Sequence, residues 1–387
     1  MKLIDAMKSG EVQVLLVHGS NPVYSLPAAA GFTEALEKVG TVVSFASMPD
    51  ETSVKADLVI PDHTSLESWG EAQPRAGVRS VVQPTLRPLF DTQALGDTLI
   101  SAAKTAGGAL GAAMPGGSFR SVLEAAWSDT DWREARKRGG VFRDGDSGGS
   151  FPLAGSVTRL EFKEPQLEGD GPYTLLPVPS PLLGDGSGAN LPWLQETPDP
   201  ITKIAWQSWV EISKTTAEAL DVGVGDVLSI ATKYGSVEVP AWPRGGVRDD
   251  VVVLAIGQGH DVGLYASMGE EGGVRGASVI SLLPSLTDES GGRAWLTAKA
   301  DVTATGDYHR LPFTQGTDNK RGRQLGEAIS VAYLAKGKNP WVQNEAPFPV
   351  DHGTEVLPAA GAAAAAHGDD HGDGHGDGHG DDHGHHD

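Results

Sequence analysis

Short apolar runs separated by polar turns mark the N-terminal part of the chain and predict a parallel sheet. Strands are predicted within residues 11–19, 41–45 and 56–60, and the spacing of apolar positions over 32–39 predicts a helix between the first two. A strand, a helix and a second strand in this order form a βαβ unit, in which ligands bind beyond the carboxyl ends of the strands. We therefore predict a doubly wound α/β domain over residues 1–106, with polar loops after its strands.

The pattern changes after residue 106. Residues 107–200 are rich in Gly, Pro and Ser and are predicted to form a loop-rich insert with one helix over 118–138. From residue 201 to 305, Gly-containing turns and β-branched runs predict a β domain with a helix at 215–220 and strands at 205–213, 227–232, 236–240 and 251–256. Residues 306–366 are assigned to a C-terminal extension and linker, and residues 367–387 to a tail.

Charge and cysteine content narrow the functional classes. The 387 residues hold 30 Lys and Arg against 51 Asp and Glu, so the net charge is −21, and neither nucleic acid nor an anionic membrane is expected as the main partner. Without Cys, the chain can form no disulfide, no catalytic thiolate and no Cys-ligated zinc or iron–sulfur site. We find no signal peptide and no uninterrupted stretch of about 18 apolar residues, so any membrane association is expected to run through partner subunits.

The tail, residues 367–387, consists of seven His, seven Asp and seven Gly. A segment of this composition cannot bury a core, and we expect it to be disordered. Its side chains suit divalent ions such as zinc, nickel or copper. The candidate ligands are His367, His371, His375, His379, His383, His385 and His386. A solvated tail that binds metal only as any His-rich peptide does is the simpler interpretation, and a dedicated metal store or sensor is the alternative.

The run VLLVHGSNPVYSLP and the residues that follow it up to Pro84 resemble the third domain of the molybdopterin oxidoreductase family, which includes formate dehydrogenases, nitrate reductases and polysulfide reductases. In that family a G-x-N-P turn and an acidic-Thr loop help to hold the guanosine half of a molybdopterin guanine dinucleotide, and an E-x-x-G segment follows. The resemblance implies cofactor-binding roles for Gly19, Asn21, Pro22, Asp50, Glu51, Thr52, Glu67 and Gly70. Taken alone, Asn21-Pro22 fits a simple turn better.

The run AEALDVGVGDVL, the hairpin around Tyr234-Gly235 and the final IGQGH resemble the C-terminal, double-psi β-barrel domain of the same family. In members that bind the cofactor, loop residues after the last strands of this barrel contact it. The resemblance therefore implies contacts from Gly257, Gln258, Gly259 and His260. For His260 we give equal weight to a surface-loop histidine without such a role. Whether this chain retains or has lost the molybdopterin guanine dinucleotide stays open.

Catalytic members of the family hold molybdenum or tungsten through Cys, selenocysteine, Ser or Asp, and commonly carry an iron–sulfur cluster. Both sites lie in domains that precede the G-x-N-P turn. The present sequence reaches that turn almost at once and contains no Cys. The resemblance therefore implies a subunit or split fragment that is not catalytic by itself and holds no iron–sulfur cluster.

Within the family, the blocks SNPVYSLP, VPAWPRGGVR and IGQGH are most similar to the molybdopterin-like part of the B subunit of alternative complex III. This similarity implies a scaffold in a quinol-oxidising membrane electron-transfer complex, on the periplasmic side, with an iron–sulfur subunit and a quinol-binding membrane subunit as partners. The alternative is the dinucleotide-binding portion of an active molybdenum oxidoreductase whose other domains lie on a partner chain. A third hypothesis is a metal-binding protein that acts through its tail.

Overall fold

A parallel sheet, an antiparallel sheet and a closed β-barrel follow one another along the chain. The computed structural model describes residues 1–114, 116–143, 152–155, 159, 164–268, 275–288 and 291–315. The strands are β1 Val14–Val17, β2 Thr41–Ser44, β3 Leu58–Val59, β4 Gly70–Arg75, β5 Val78–Val82, β6 Gly140–Phe142, β7 Tyr173–Pro179, β8 Val210–Ile212, β9 Asp226–Thr232, β10 Gly235–Pro243, β11 Val251–Ile256 and β12 Ala298–Tyr308. The helices are α1 Lys2–Lys8, α2 Pro22–Ser25, α3 Phe32–Leu36, α4 Leu95–Ala106, α5 Gly108–Ala113, α6 Phe119–Ala126, α7 Trp132–Arg138, α8 Pro192–Glu196 and α9 Lys214–Leu220.

The predicted parallel sheet is confirmed. Its strands lie in the order β1-β2-β3, with Leu16 paired to Val43 and Val43 to Leu58. Helices α1 and α3 pack their apolar side chains, among them Met7 and Phe32, against one face of this sheet. The strands lie in the sheet in the same order as in the chain. Within the described ranges, no further strand pairs with the outer edge of β1. The doubly wound arrangement therefore stays a prediction.

The antiparallel sheet β4-β5-β6 carries helices α6 and α7, where the sequence predicts a single helix over 118–138. That prediction is wrong because two caps divide the segment. The hydroxyl of Ser118 accepts from the Ser121 amide at the start of α6, and the carboxylate of Asp131 accepts from the Glu134 amide at the start of α7. The helices then bury the Trp127 indole against this sheet, so the divided segment forms a small core.

The barrel closes in the order β10-β8-β11-β7-β12-β9 and surrounds the largest apolar core. Strand β11 matches its prediction, whereas β8 covers only the end of the predicted strand 205–213, because Trp206 has a left-handed φ of +62° that interrupts its first part. Strand β7 comes from the predicted insert. Its two prolines, Pro177 and Pro179, argue against a strand at the sequence level. The barrel thus extends on both sides of the predicted range 201–305.

Residues Met1–Gly316 form one compact unit of the chain. The predicted tail and its seven histidines, with most of the predicted extension 306–366, lie outside the described residues. Over the part of the chain that is described, every helix is too short or too polar to span a membrane.

Candidate functional site

Three loops implied by the family resemblance meet at one place. Asn21 lies in the loop after β1, Glu51 and Thr52 lie in the loop after β2, and His260 follows β11 of the barrel. The first two loops share an edge because β1 and β2 are parallel and end together. The loop after β11 reaches the same edge, so the side chains of the sheet and the barrel come into direct contact. We call Asn21, Glu51, Thr52 and His260 the joint network.

Glu51 is the centre of the joint network and is almost completely buried. Its Oε2 accepts a hydrogen bond of 2.6 Å from the amide nitrogen of Asn21. Its Oε1 accepts from His260 Nδ1 at 3.0 Å and from the backbone nitrogens of Asp261 and Val262 at 3.1 and 3.4 Å. Both carboxylate oxygens are therefore occupied, one by a donor from the loop after β1 and the other by donors from the loop after β11.

The protonation state of Glu51 follows from these contacts. Burial alone raises the pKa of a carboxyl group, because an apolar environment disfavours its charged form. At Glu51 the hydrogen bonds from His260 and Asn21 more than offset this effect and lower the pKa to about 2. Glu51 is thus a carboxylate at neutral pH, and His260 Nδ1 carries the proton that it donates to the carboxylate.

Asn21 and Thr52 complete the network on the side of the sheet. The Thr52 hydroxyl donates to Asn21 Oδ1 at 2.7 Å, and its oxygen accepts from the backbone nitrogen of Val23 at 3.1 Å. Asn21 thereby uses its side-chain oxygen for Thr52 and its nitrogen for Glu51. Thr52 has no exposed surface. The amide of Asn21 is consequently engaged inside the protein at both ends.

Tyr24 joins this site although the sequence patterns do not point to it. Its ring stacks on the His260 ring with the centroids 3.6 Å apart and the planes 14° from parallel. Its hydroxyl donates to the backbone oxygen of Gln258 at 2.8 Å, and burial raises the pKa of this phenol. His260 is buried rather than placed on a surface loop, so the alternative interpretation of that histidine is wrong.

Residues 257–260, with the sequence GQGH, are fixed in place by contacts with Gln195 and Ser278. Gln258 is buried and donates from Nε2 to Oε1 of Gln195 at 2.7 Å, while Gln195 donates to the backbone oxygen of Ala189 at 2.8 Å. Gly259 has a φ of +89°, and a Cβ atom there would overlap the backbone nitrogen of Ser278. Only glycine fits at this position. Gln195 is another residue that sequence reasoning did not find.

The other residues implied around the first strand shape the turns. Gly19 has a φ of +62°, and Pro22 occupies the first turn of α2. Asp50 accepts from the backbone nitrogens of Thr52 and Ser53 at 3.1 and 2.6 Å, so it fixes the loop that presents Glu51. Gly257, with a φ of +125°, starts the loop after β11.

Glu67 and Gly70 belong to a different neighbourhood. Glu67 is bonded to the backbone nitrogens of Thr64 and Leu89, each at 3.0 Å, and contact with these amides lowers its pKa. Gly70 begins β4 and pairs with Val82. Glu67 thus organises an exposed loop, and within the described residues neither Glu67 nor Gly70 bonds to Glu51 or His260. Over the described ranges no three His, Asp or Glu side chains cluster as metal ligands do.

Comparison with known proteins bears first on the class of domain in the barrel and then on the family of the chain. Residues 195–294, which include four of the six barrel strands, match the family model of the molydopterin dinucleotide binding domain. A curated relative from Nitratidesulfovibrio vulgaris, named menaquinone reductase, molybdopterin-binding-like subunit, is 29% identical over 317 residues. Together these matches support the molybdopterin oxidoreductase family as the family of this chain.

The two matches also show what fraction of each relative's length aligns with this chain. The Nitratidesulfovibrio match covers 77% of this chain but only 43% of the relative. The structure of acetylene hydratase from Pelobacter acetylenicus aligns with a TM-score of 0.62 at 16% identity, over 78% of this chain and 46% of that one. This structural likeness shows a shared fold. The chain therefore spans less than half the length of these relatives.

The family model is grounds for considering a molybdopterin cofactor, yet the described residues do not fit one in this arrangement. The side-chain polar atoms of Asn21 and Glu51 already bond inside the protein. The His260 Nε2 atom is buried without a hydrogen-bond partner among the described residues, and Gly186 lies so close that a Cβ atom on it would be 2.9 Å from this nitrogen.

Proposed function

We propose that this chain is a non-catalytic subunit or split fragment of a multi-subunit, quinone-linked redox complex, in which a molybdopterin-binding fold serves as a scaffold. The joint network carries the proposal. Glu51, Asn21 and His260 occupy positions implied for cofactor binding, yet they bond to one another across the sheet and the barrel. These contacts stabilise the packing of the two domains and leave few polar atoms for a dinucleotide.

The name of the Nitratidesulfovibrio relative supports the link to quinone chemistry. By the same inference, the complex is of the alternative complex III type and lies on the periplasmic side of a membrane. An iron–sulfur subunit and a quinol-binding membrane subunit would supply electron transfer, since a chain without Cys offers no thiolate ligands for a cluster. This chain would contribute shape and docking surfaces.

The cofactor content of the purified complex tests this proposal. The complex is oxidised in acid, released pterin is quantified by fluorescence, and molybdenum and tungsten are measured by mass spectrometry. We expect neither pterin nor metal in proportion to this chain. A stoichiometric guanine-dinucleotide pterin that is lost when this chain is removed would overturn the proposal.

A second candidate function is the dinucleotide-binding portion of an active molybdenum oxidoreductase. The match of residues 195–294 to a dinucleotide-binding domain favours it. Under this alternative the joint network must open to admit the cofactor, so Glu51→Gln would lower pterin content in the complex. Under the scaffold proposal the same variant changes stability alone. The role of the tail as a metal site is tested separately, by deleting residues 367–387 and measuring assembly and electron transfer.

A further inference from the structure

A cavity of about 100 Å³ lies between the outer side of the barrel and the segment 194–209. Val253 and Ala255 form part of its lining. They point outward because Val252 and Leu254, which alternate with them along β11, belong to the barrel core. The loop after β7 and residues 194–209 supply most of the other walls. We call this space the barrel cavity, and its apolar lining includes Leu183, Leu194, Ile204, Trp206, Trp209 and Val253.

The polar side chains on this lining are engaged with other parts of the chain. Gln195 and Gln258 bond to each other at 2.7 Å. The others each bond to backbone or to another side chain, and they are Ser180, Thr197, Asp199, Gln207, Ser208 and Glu211. A buried water needs about two to four polar partners, so these walls do not favour water. Apolar cavities stay dry and take up apolar molecules, as does one of about 150 Å³ that binds benzene in another protein.

The charges on the lining disfavour an anion. Asp199 and Glu211 line the barrel cavity, whereas no Lys or Arg of the described residues does so. Carboxylates repel a phosphate or a second carboxylate, most strongly where water is excluded. The cavity therefore selects an uncharged ligand, which separates it from a site for a phosphate-bearing dinucleotide.

Trp206 lines the barrel cavity in a backbone conformation that bulky residues rarely adopt. Its φ of +62° lies in the left-handed region, which is unfavourable for such a side chain. Three contacts hold it there. Its indole nitrogen donates to the Glu196 carboxylate, its backbone nitrogen donates to the Gln195 oxygen at 3.1 Å, and the Arg275 guanidinium lies 4.9 Å from the ring centroid. Strain that neighbouring contacts maintain in this way is typical of ligand sites. The chain thus holds an aromatic ring at the cavity against the preference of its own backbone.

From the volume, the engaged polar groups and the two indoles, we propose that the barrel cavity binds a small uncharged aromatic molecule. Aromatic rings pack favourably against Trp side chains in offset or edge-to-face arrangements. The site touches the joint network at one residue, since the Gln258 side chain lines the cavity and its backbone oxygen accepts from Tyr24. The proposal does not depend on the proposed function, because it concerns a ligand of this chain whatever complex the chain belongs to.

Fluorine NMR of the full chain tests this site, with fluorobenzene as the probe and 4-fluorobenzoate as its anionic counterpart. We expect fluorobenzene to saturate one site with a dissociation constant of about 1 mM or lower, the range open to so small a ligand. Because Asp199 and Glu211 repel a carboxylate, 4-fluorobenzoate should bind at least about tenfold more weakly. Nuclear Overhauser contacts should join the ring protons to methyl groups of Leu183, Ile204 and Val253. Binding that does not saturate, equal affinity for both probes, or contacts to other methyl groups alone would overturn the proposal.

A substitution that fills the space gives an independent measure. Ala255→Leu places three further carbon atoms in the barrel cavity, so the affinity for fluorobenzene should fall by at least about tenfold while the circular dichroism spectrum is kept. The matched control is Ala231→Leu, since Ala231 is also partly buried on the outer side of a barrel strand but lies outside the cavity. Fluorobenzene should raise the melting temperature of the wild type and of this control, and not that of Ala255→Leu. Unchanged affinity in a folded Ala255→Leu variant contradicts the proposal, and if that variant does not fold, the Overhauser contacts of the wild type decide.

Discussion

Replacing Glu51 by Gln tests the joint network at its centre. Glutamine keeps the size of the side chain but removes the charge, and it turns one of two acceptor oxygens into a donor. That donor then faces either Asn21 Nδ2 or the group formed by His260 Nδ1 and the Asp261 backbone nitrogen. At least one buried donor loses its acceptor. The variant therefore weakens the contact between the sheet and the barrel without creating a cavity.

The expected loss of stability follows from the pKa of Glu51. Folding lowers this pKa from the ordinary value of 4.5 to about 2, and each unit of difference corresponds to about 1.4 kcal/mol, which gives about 3 kcal/mol. Leaving a buried hydrogen-bonding group without its partner costs about 1–3 kcal/mol in other proteins, and more when one of the groups is charged. The two routes agree, and we expect Glu51→Gln to lower the free energy of unfolding by about 3 kcal/mol at neutral pH.

The pH dependence has a defined sign. Because the folded pKa lies below the unfolded one, the unfolded chain binds a proton at Glu51 more readily as the pH falls. The stabilisation is complete above pH 4.5 and disappears as the pH drops towards about 2. Glu51→Gln removes this contribution, so the stability difference between the wild type and the variant should shrink over that window.

Urea unfolding of the full chain at pH 7 and at intervals down to the acid limit measures both effects. The control is Glu218→Gln, which changes an exposed glutamate of α9 and should alter the free energy of unfolding by less than about 0.5 kcal/mol. Equal stability of Glu51→Gln and the control at pH 7 would refute the network as a stabilising joint. A difference that does not change between pH 4.5 and the acid limit would refute the assignment of charge to Glu51.

Two further substitutions probe the neighbours of Glu51. Tyr24→Phe keeps the ring stacked on His260 but removes the hydroxyl that donates to Gln258, so urea unfolding should show a loss of about 1 kcal/mol. Gly259→Ala places a methyl group against the backbone, whereas Gly246→Ala has the same φ of +89° with open space around it. The melting temperature should therefore fall further for Gly259→Ala, and equal melting temperatures would contradict a steric role for Gly259.

The sequence predicts correctly those strands in which the run of apolar residues is not broken by proline or glycine. Strands β1 and β11 are short apolar runs bounded by turns, and both appear where the pattern puts them. Strand β7 was missed because Pro177 and Pro179 read as breaks, although neighbouring strands accommodate them in the barrel. The single predicted helix over residues 118–138 failed since caps at Ser118 and Asp131 start separate helices.

The joint network was predicted in part, and through resemblance more than through pattern. Asn21, Glu51 and His260 lie in loops that the family motifs mark, and these loops do converge. Tyr24 and Gln195 were not found. The contact of Tyr24 with Gln258 joins residues 234 positions apart, and that of Gln195 depends on the placement of α8 beside the barrel. The spacing of hydrophobic residues along the chain cannot predict these contacts, because they form only when the parallel sheet and α8 pack beside the barrel.

Residues kept at motif positions do not by themselves retain the chemistry of the motif. A side chain can hold a ligand only if its donors and acceptors are free to face that ligand, since a buried polar group bonded elsewhere must first lose its partner. Here the side-chain amide of Asn21 bonds to Glu51 and Thr52, and the carboxylate of Glu51 bonds to both Asn21 and His260. Binding a dinucleotide through them would forfeit contacts worth about 3 kcal/mol at Glu51 alone. The motif in this chain therefore stabilises a domain contact, which is the property that a scaffold needs.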